Sequence, residues 1–410
     1  MVPTALELNH RARYAGAPDL PDHRRLLRLY VPTYLSIYAA MHLLIPYASS
    51  QAPGFDEALR LLKLPNLERL LALLPLIYVD EGELSSFSPP HERAHARALT
   101  GIDKAPRLDD GRFPWATWHA LQQTQTFDRT AAWAFITPCR WDVAADHIRM
   151  GDPATLNLSE ADSQALLEAM RPYFAEDGIA LSYDSPTRWL ATGDIFRGLA
   201  TASLDRVIGQ SVERWIPEAK QARSLRRLQN EMQMLLYTHP VNDKRAAQGL
   251  LEVNSFWISG TGRESALIGA PLHSGLDSSF DWASESQFIP AAPEEHWHDP
   301  QPGLPGMPLS LDALTVHIPQ ALREATLRED RAAWITAWRQ IDATYCVDLL
   351  QAEQNAGLPS PECPLPQLTL CGERNAFTFQ VIPQSKLSRW SKRISSQIIR
   401  KPVQDVLSKL

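Results

Sequence analysis

HPVNDKRAAQGLLEVNSFWISGTG, residues 239–262, is the stretch that decides the fold of this chain. It follows the apolar helical pattern of Leu225 to Tyr237, and its last third is a strand-like run that closes on a Gly-Thr-Gly turn. Its first seven residues combine a histidine, an amide and two cations, and such side chains can hold a phosphate or a carboxylate. Backbone amides of the glycine turn could meet the same anion. Two interpretations stay open: an anion-binding cluster, or a helix end and a turn with surface charges.

Short apolar runs and helical patterns alternate on both sides of this stretch. Residues 55–74 predict a helix that Pro65 must break or kink, and Ser159 predicts a helix N-cap. In the middle of the chain, residues 178–183 and 188–190 predict strands around a turn. The strands predicted near the two ends cover residues 42–45, 76–79, 314–318, 367–372 and 377–379. The simplest architecture is an α/β fold with one sheet built from both ends of the chain.

The middle of the chain then forms an inserted α/β domain. The predicted boundaries assign residues 1–135 and 264–385 to a discontinuous core and residues 136–263 to the insertion. Residues 264–310 are rich in Ser, Pro and Gly and predict long loops. Residues 386–410 form a basic tail with apolar residues at helical spacing. This tail could dock on a protein partner or an anionic membrane surface, or it could pack on the core of its own chain.

The composition is that of a globular protein, since 44 % of the 410 residues are hydrophobic. The net charge of -7 gives no reason to expect a nucleic-acid partner, which needs a clustered basic face. None of the four cysteines forms a C-x-x-C pair, and the first residues show no secretory signal, so we expect a cytoplasmic protein with reduced thiols. The uncharged run from Tyr30 to Tyr47 contains two prolines, which favours a buried helix leading into the first strand over a membrane span.

Residues 239–262, here called the opening stretch, resemble a motif of the archaeal-type cofactor-independent phosphoglycerate mutases, in the alkaline phosphatase superfamily. Their motif is H-P-V-N-x-x-R, a glycine, and then A-N-x-I-W-L-W-G-x-G. Upstream, Arg140 to Asp146 resembles the R-x-N-F segment of that family, and Ser203 to Gly209 resembles its P-H-D-x-x-G turn. The resemblance implies an alkaline-phosphatase-like sheet core and an inserted domain that holds a phosphorylated metabolite. The phosphate-binding residues that it implies are Arg140, Arg188, His239, Asn242, Arg245, Asn254, Trp257 and Arg263.

Catalysis in that family uses two metal ions and a phosphate-accepting serine, because the metals neutralise the transferring phosphoryl group. The matching segments of this chain have other side chains. The first strand leads into Tyr47 where the family has Asp-Gly, and His91 stands where the serine belongs. Glu373 lies where the family has D-H-S-T-P, and the segment around Arg323 replaces the ligands before the last helix. The resemblance therefore implies that the catalytic residues and the metal site are lost while the binding domain is kept.

A second resemblance spans most of the chain. The segments Asn230 to Asn242, Asp109 to Gly111 with Pro114-Trp115, and Pro138-Cys139 are similar to those of proteobacterial regulatory proteins of the RpfE type. That family is related to the mutases, and the resemblance implies a regulatory association and no established reaction.

Two further clusters contain possible metal ligands. The string from His91 to His95 matches the bare H-E-x-x-H pattern and suggests a zinc hydrolase that uses His91, Glu92 and His95. Its start at Pro89-Pro90 and its charged neighbours predict instead a solvated helix start. The segment Glu294 to Asp299 lies in a proline-rich region and predicts a surface loop.

We therefore expect a non-catalytic regulatory protein without a cofactor, which binds a small phosphorylated metabolite. The alternative is an active metal-dependent phosphomutase or phosphohydrolase that uses manganese or zinc.

Overall fold

The structure, a computed structural model, describes residues 41–100, 109–123, 130–144, 147–217, 222–262, 315–355, 365–381 and 402–410. Several predictions lie outside these ranges: the helix before residue 41, the binding role of Arg263, the loops of residues 264–310 with the segment Glu294 to Asp299, and most of the basic tail. Within the ranges, no helix has the length and hydrophobicity to cross a membrane.

The secondary structure alternates between strands and helices as predicted, and it includes three strands between residues 133 and 150 that the sequence analysis did not predict. The strands are β1 (Met41–Ile45), β2 (Leu76–Asp80), β3 (Trp133–Cys139), β4 (Trp141–Val143), β5 (Ile148–Met150), β6 (Ala180–Ser185), β7 (Arg188–Thr192), β8 (Ser255–Ser259), β9 (Thr315–His317), β10 (Gln367–Cys371) and β11 (Ala376–Gln380). The helices are α1 (Phe55–Leu61), α2 (Pro65–Leu73), α3 (Pro90–Thr100), α4 (Trp115–Gln123), α5 (Glu160–Glu176), α6 (Leu204–Val207), α7 (Ala222–Tyr237), α8 (Pro240–Ala247), α9 (Ala321–Leu327), α10 (Arg331–Ala343), α11 (Tyr345–Asn355) and α12 (Val403–Leu407).

The first sheet, here called sheet A, has five strands in the order β2-β11-β10-β1-β9. Strand β1 is parallel to β10 and β9, whereas β11 is antiparallel to its neighbours β10 and β2. Strands β1 and β2 precede residue 81, and the other three follow residue 314. This topology confirms the prediction of an α/β fold with one sheet built from both ends of the chain.

Helices cover both faces of sheet A. On one face, Leu43 and Leu368 pack in a core with α1, α2, α10 and α11, where Trp334 and Trp338 are fully buried. On the other face, Leu44 packs against Ala94 of α3. The described end of the basic tail, α12, buries its apolar side chains in the first of these cores. This end of the tail therefore packs on its own chain.

Helix boundaries follow proline and local backbone geometry. The helical pattern of residues 55–74 is split into α1 and α2, with Pro65 as the first residue of α2, as predicted. The spacing of Trp334, Trp338, Ile341 and Tyr345 predicts one continuous helix face, and this prediction is wrong, because α10 ends at Ala343 and Tyr345 opens α11. Thr344 interrupts the helix with a non-helical backbone, φ -114° and ψ -83°.

The second sheet, sheet B, has four antiparallel strands in the order β6-β7-β3-β8. One face packs on α5 and α7 through Ile136 and Trp189. The other face carries Phe135 and Thr137. Phe135 packs with residues of α4, and both side chains line a cleft described below. The predicted domain boundary at residue 136 falls inside β3, which begins at Trp133.

Candidate functional site

His239 and Asn242 start α8 and fix it to the neighbouring chain. The Nδ1 atom of His239 accepts a hydrogen bond from the Val241 amide at 3.3 Å, which makes His239 the N-cap. The Asn242 carboxamide is buried and donates to the carbonyls of Leu236 (2.8 Å) and Val253 (2.7 Å). Its oxygen accepts from the Val253 amide at 3.0 Å. Asn242 therefore joins α7, α8 and the approach to β8, and its bonds are internal.

Arg245 is fully buried in the same region. Its guanidinium donates to the carbonyl of Leu251 at 2.9 Å and to that of Leu156. It also lies 3.6 Å from the carboxylate of Asp162, which Lys244 contacts as well. A ligand could reach Arg245 only if this packing opened.

Three other residues of the predicted phosphate set, Arg140, Asn254 and Trp257, form contacts within the chain. Arg140 forms ion pairs with Asp142 and Glu252 near the surface. The Asn254 carboxamide forms two hydrogen bonds with the backbone of Trp141: it accepts from the amide at 2.7 Å and donates to the carbonyl at 2.8 Å. Trp257 is buried and donates its indole N–H to the Ala202 carbonyl at 3.1 Å. These three side chains therefore have hydrogen-bond or ion-pair partners within the chain.

The glycines of the predicted turn allow close packing between chain segments. Gly260 has φ +68°, and its carbonyl accepts from the Ala116 amide at 3.0 Å. A Cβ atom on Gly262 would lie 2.3 Å from the Arg112 carbonyl oxygen, so only glycine fits there. The Gly-Thr-Gly turn thus holds sheet B against α4.

Arg188 also belongs to the predicted phosphate set. Among the residues of that set that the structure describes, it is the one that lines a cleft between sheet B and the core. This cleft has a cavity volume of about 40 Å³, and about 570 Å³ when all the space up to its open mouth is counted. Its charged lining residues are Glu92, Arg188 and Arg323. Hydroxyl groups come from Ser88, Thr137, Thr201, Ser203 and Ser259, and aromatic walls from Phe113, Trp115 and Phe135. The cleft combines two guanidiniums with neutral hydrogen-bonding groups and apolar walls.

On the sheet B side, Arg188 is held in place by Asp184 and Phe135. Its Nε atom donates to the Asp184 carboxylate at 2.7 Å, and its guanidinium lies 5.4 Å from the centre of the Phe135 ring. His119 contacts the other oxygen of Asp184 at 3.1 Å. Burial alone would raise the pKa of Asp184, but His119 and Arg188 outweigh burial and lower it. Asp184 therefore stays ionised and orients the guanidinium.

On the core side, Arg323 forms a buried network with Asp205 and His91. The Nε atom of Arg323 lies 2.9 Å from both carboxylate oxygens of Asp205, and its Nη2 also donates there. His91 Nε2 lies 3.1 Å from the same carboxylate. Burial would raise the pKa of Asp205, but Arg323 and His91 hold it well below its usual range. Burial also lowers the pKa of His91, so the network is a neutral imidazole beside an arginine–aspartate pair.

Two segments that follow strands of sheet A surround this network. Tyr47, just after β1, donates its hydroxyl to the Asp205 carbonyl at 3.2 Å. The carbonyl of Glu373, just after β10, accepts from Arg206 at 2.9 Å. Both segments leave the carboxyl ends of parallel strands, the edge where α/β sheets commonly hold ligands.

Glu92 joins the cleft to the insertion. Its carboxyl oxygen accepts from the Ser203 hydroxyl at 2.5 Å, and its side chain is almost fully buried. Burial raises the pKa of Glu92 to about 8, although the bond from Ser203 partly offsets this. The carboxyl is therefore largely neutral at pH 7.

The prediction of a solvated helix start at residues 91–95 is wrong. His91, Glu92 and His95 are all buried, with exposed fractions of 3 %, 8 % and 1 %. Sequence reasoning missed their partners because Asp205 and Ser203 lie more than 100 positions away along the chain. His95 stacks on Trp115 with ring centres 5.0 Å apart, and burial lowers its pKa to about 3.

These three side chains do not form the suggested zinc site. Among the residues that the structure describes, no three His, Cys, Asp or Glu side chains form a group suited to a metal ion. His91 instead faces Asp205, whose oxygens are bonded to Arg323. That bonding does not fit a divalent cation, because the guanidinium occupies the carboxylate and would repel the ion.

No family model matches the chain. No curated protein matches it. Solved structures that are similar to it at low identity include the following two. The PH0037 protein from Pyrococcus horikoshii is 11% identical, with a TM-score of 0.42, over 84% of this chain and 88% of that one. The cofactor-independent phosphoglycerate mutase from Thermoplasma acidophilum DSM 1728 is 13% identical, with a TM-score of 0.32, over 88% of this chain and 98% of that one. Similarities at this level assign no substrate and no site residue to this chain.

Proposed function

We propose that the protein is a non-catalytic binding protein whose cleft between sheet B and the core holds a small phosphorylated metabolite. The observation that carries the proposal is that Arg188 and Arg323 line the same cleft. Guanidinium groups bind phosphate and carboxylate through paired hydrogen bonds, and the surrounding hydroxyls add neutral donors.

The sequence resemblance to the mutases gives this proposal its second support. Tyr47, His91, Arg323 and Glu373 all lie in segments that the resemblance pairs with catalytic segments of that family. These segments meet at the carboxyl edge of sheet A, where Asp205 is bonded to Arg323 and contacted by His91. An arginine thus supplies the positive charge next to the buried carboxylate. This chemistry supports ligand binding over metal-dependent phosphoryl transfer.

The proposal also includes a regulatory role. It rests on the sequence resemblance to the RpfE type, and it stays a prediction together with the cytoplasmic location. The docking of residues 386–410 on a partner or membrane is also a prediction, although the described part of that tail packs on its own core.

The test is calorimetric titration with 3-phosphoglycerate and with inorganic sulfate, using the wild-type protein and Arg188→Gln. We expect the variant to bind either anion about 10- to 100-fold more weakly, the effect of losing a charged hydrogen bond. Arg140→Gln is the matched control, because Arg140 lies outside the cleft lining and is held by Asp142; its affinity should equal that of the wild type.

Arg188→Lys guards against misfolding, since it keeps a positive charge beside Asp184. It should fold and bind with intermediate affinity, because lysine lacks the planar fork of arginine. Absence of anion binding by the wild type would overturn the proposal, and so would equal losses in Arg188→Gln and Arg140→Gln. Turnover of 3-phosphoglycerate by the purified protein with added manganese would favour the mutase alternative.

A further inference from the structure

We propose that Glu92 sets the charge selectivity of the cleft: anions bind while its carboxyl is neutral and are excluded once it is ionised. This inference rests on the proposed function, because it concerns the same cleft. It adds a residue that the sequence resemblances do not assign to binding.

The position of Glu92 is the first argument. Glu92 lies in the first turn of α3 and lines the same cleft as Arg188 and Arg323. Its carboxyl is held by the Ser203 hydroxyl, so it keeps its place at the cleft rather than turning to solvent. An anion bound by the two guanidiniums would therefore share a small, poorly hydrated space with this carboxyl.

The charge balance of the cleft is the second argument. Each guanidinium already has a carboxylate partner, Asp184 for Arg188 and Asp205 for Arg323. The two pairs are close to neutral together. Ionisation of Glu92 therefore adds one negative charge to the cleft, and repulsion between that charge and a bound anion is strong at low dielectric.

The groups that face Glu92 from neighbouring elements are few. Ser203 and Asp205 approach from the start of α6, Arg206 from the same helix, and Trp115 from α4. Asp205 raises the pKa of Glu92, whereas Arg206, Ser203 and Trp115 lower it. Burial is the largest influence and brings the pKa to about 8.

His91 and His95 lie on the same helix as Glu92. Both are buried, and burial lowers the pKa of each, so both stay neutral above pH 7. Guanidinium groups in general keep their charge throughout this range. Between pH 7 and pH 9, the charge of the cleft therefore changes at Glu92.

The experiment is calorimetric titration of the full chain with inorganic sulfate between pH 6.5 and pH 9.5. Sulfate keeps its charge over this range, so a change in affinity reports on the protein. If sulfate binds only the form with neutral Glu92, the wild-type affinity should fall about tenfold from pH 7 to pH 9. Glu92→Gln keeps a neutral side chain and should bind sulfate with the same affinity at both values.

Glu83→Gln is the matched control. The Glu83 side chain is exposed, with 73 % of its surface accessible, so this variant should keep the tenfold fall. Ser203→Ala is the second variant, because Ser203 stabilises the ionised form of Glu92. Its loss should move the midpoint of the affinity change to higher pH.

The outcomes separate the two proposals. Sulfate binding that is equally strong at pH 7 and pH 9 in the wild type would overturn the role of Glu92 and leave the binding function standing. A tenfold fall that persists in Glu92→Gln would do the same. Absence of sulfate binding at pH 6.5 in both the wild type and Glu92→Gln would overturn both proposals.

Discussion

The stretch of residues 239–262 and the cleft are both rich in polar side chains, but they use them differently. In the first region, Asn242 and Arg245 bond to backbone groups six to eleven positions away, and Arg245 reaches one further carbonyl. At the cleft, the Asp205 carboxylate pairs with Arg323, 118 positions along the chain, and the guanidinium still lines a cavity. The first arrangement builds a fold, and the second leaves a surface for a ligand. A dense polar motif is therefore evidence for a site only when its side chains border a space.

The largest effect that would test this contrast is expected from Arg245→Met. The substitution leaves the carbonyls of Leu251 and Leu156 without a donor in a buried region. We expect the free energy of unfolding to fall by about 3 to 5 kcal/mol, as when a buried charged partner is removed. Chemical unfolding followed by circular dichroism measures it.

Affinity for sulfate should be unchanged in the folded fraction of this variant, because Arg245 does not border the cleft. Unaltered stability together with lost sulfate binding would contradict this comparison. Residues 239–262 would then be the binding site, and the cleft would not.

A smaller effect, with a distinct pH dependence, is expected from Asp205→Asn. The substitution removes the charge that Arg323 and His91 share, and we expect a loss of about 2 to 3 kcal/mol at pH 7. Because the pKa of Asp205 is lower in the folded protein, its contribution is present above the unfolded pKa of about 3.9 and is lost as the pH falls below it. The stability gap between wild type and variant should therefore narrow from pH 6 to pH 3.

The comparison of unfolding curves at several pH values measures this gap. Glu83→Gln provides the control, since its exposed carboxylate should give a negligible difference at every pH. A gap that stays constant down to pH 3 would mean that the Asp205 charge is not stabilised by its partners.

The contrast also explains how much the sequence could predict. Local signals were sufficient for the break at Pro65 and for the cap of α5, where the Ser159 hydroxyl accepts from the Asp162 amide at 3.1 Å. The apolar runs predicted the five strands of sheet A and its origin in both chain ends, but they did not predict β3, β4 or β5.

The cleft could not be predicted in the same way. The bond between Ser203 and Glu92 joins residues 111 positions apart, and neither residue has a local pattern that reveals the other. The charged string around Glu92 therefore predicted a solvated helix start, although its partners bury it. Such pairs depend on the packing of sheet B against the core, and no local residue pattern encodes that packing.

The smallest effect in the comparison is expected from His239→Ala, at the edge of the opening stretch. The substitution removes a long N-cap bond to the Val241 amide at 3.3 Å, so the loss should be about 0.5 kcal/mol. Burial lowers the pKa of His239, so the neutral ring is the form that caps α8, and its contribution is present above the unfolded pKa of about 6.5 and fades below it. Thermal unfolding at pH 7.5 and pH 5 should show the difference only at the higher value.

His239→Asp, which supplies a better cap and a negative charge at the helix start, should be at least as stable as the wild type. A His239→Ala variant that unfolds normally but loses sulfate binding would return this histidine to the ligand site and weaken the distinction between the two regions.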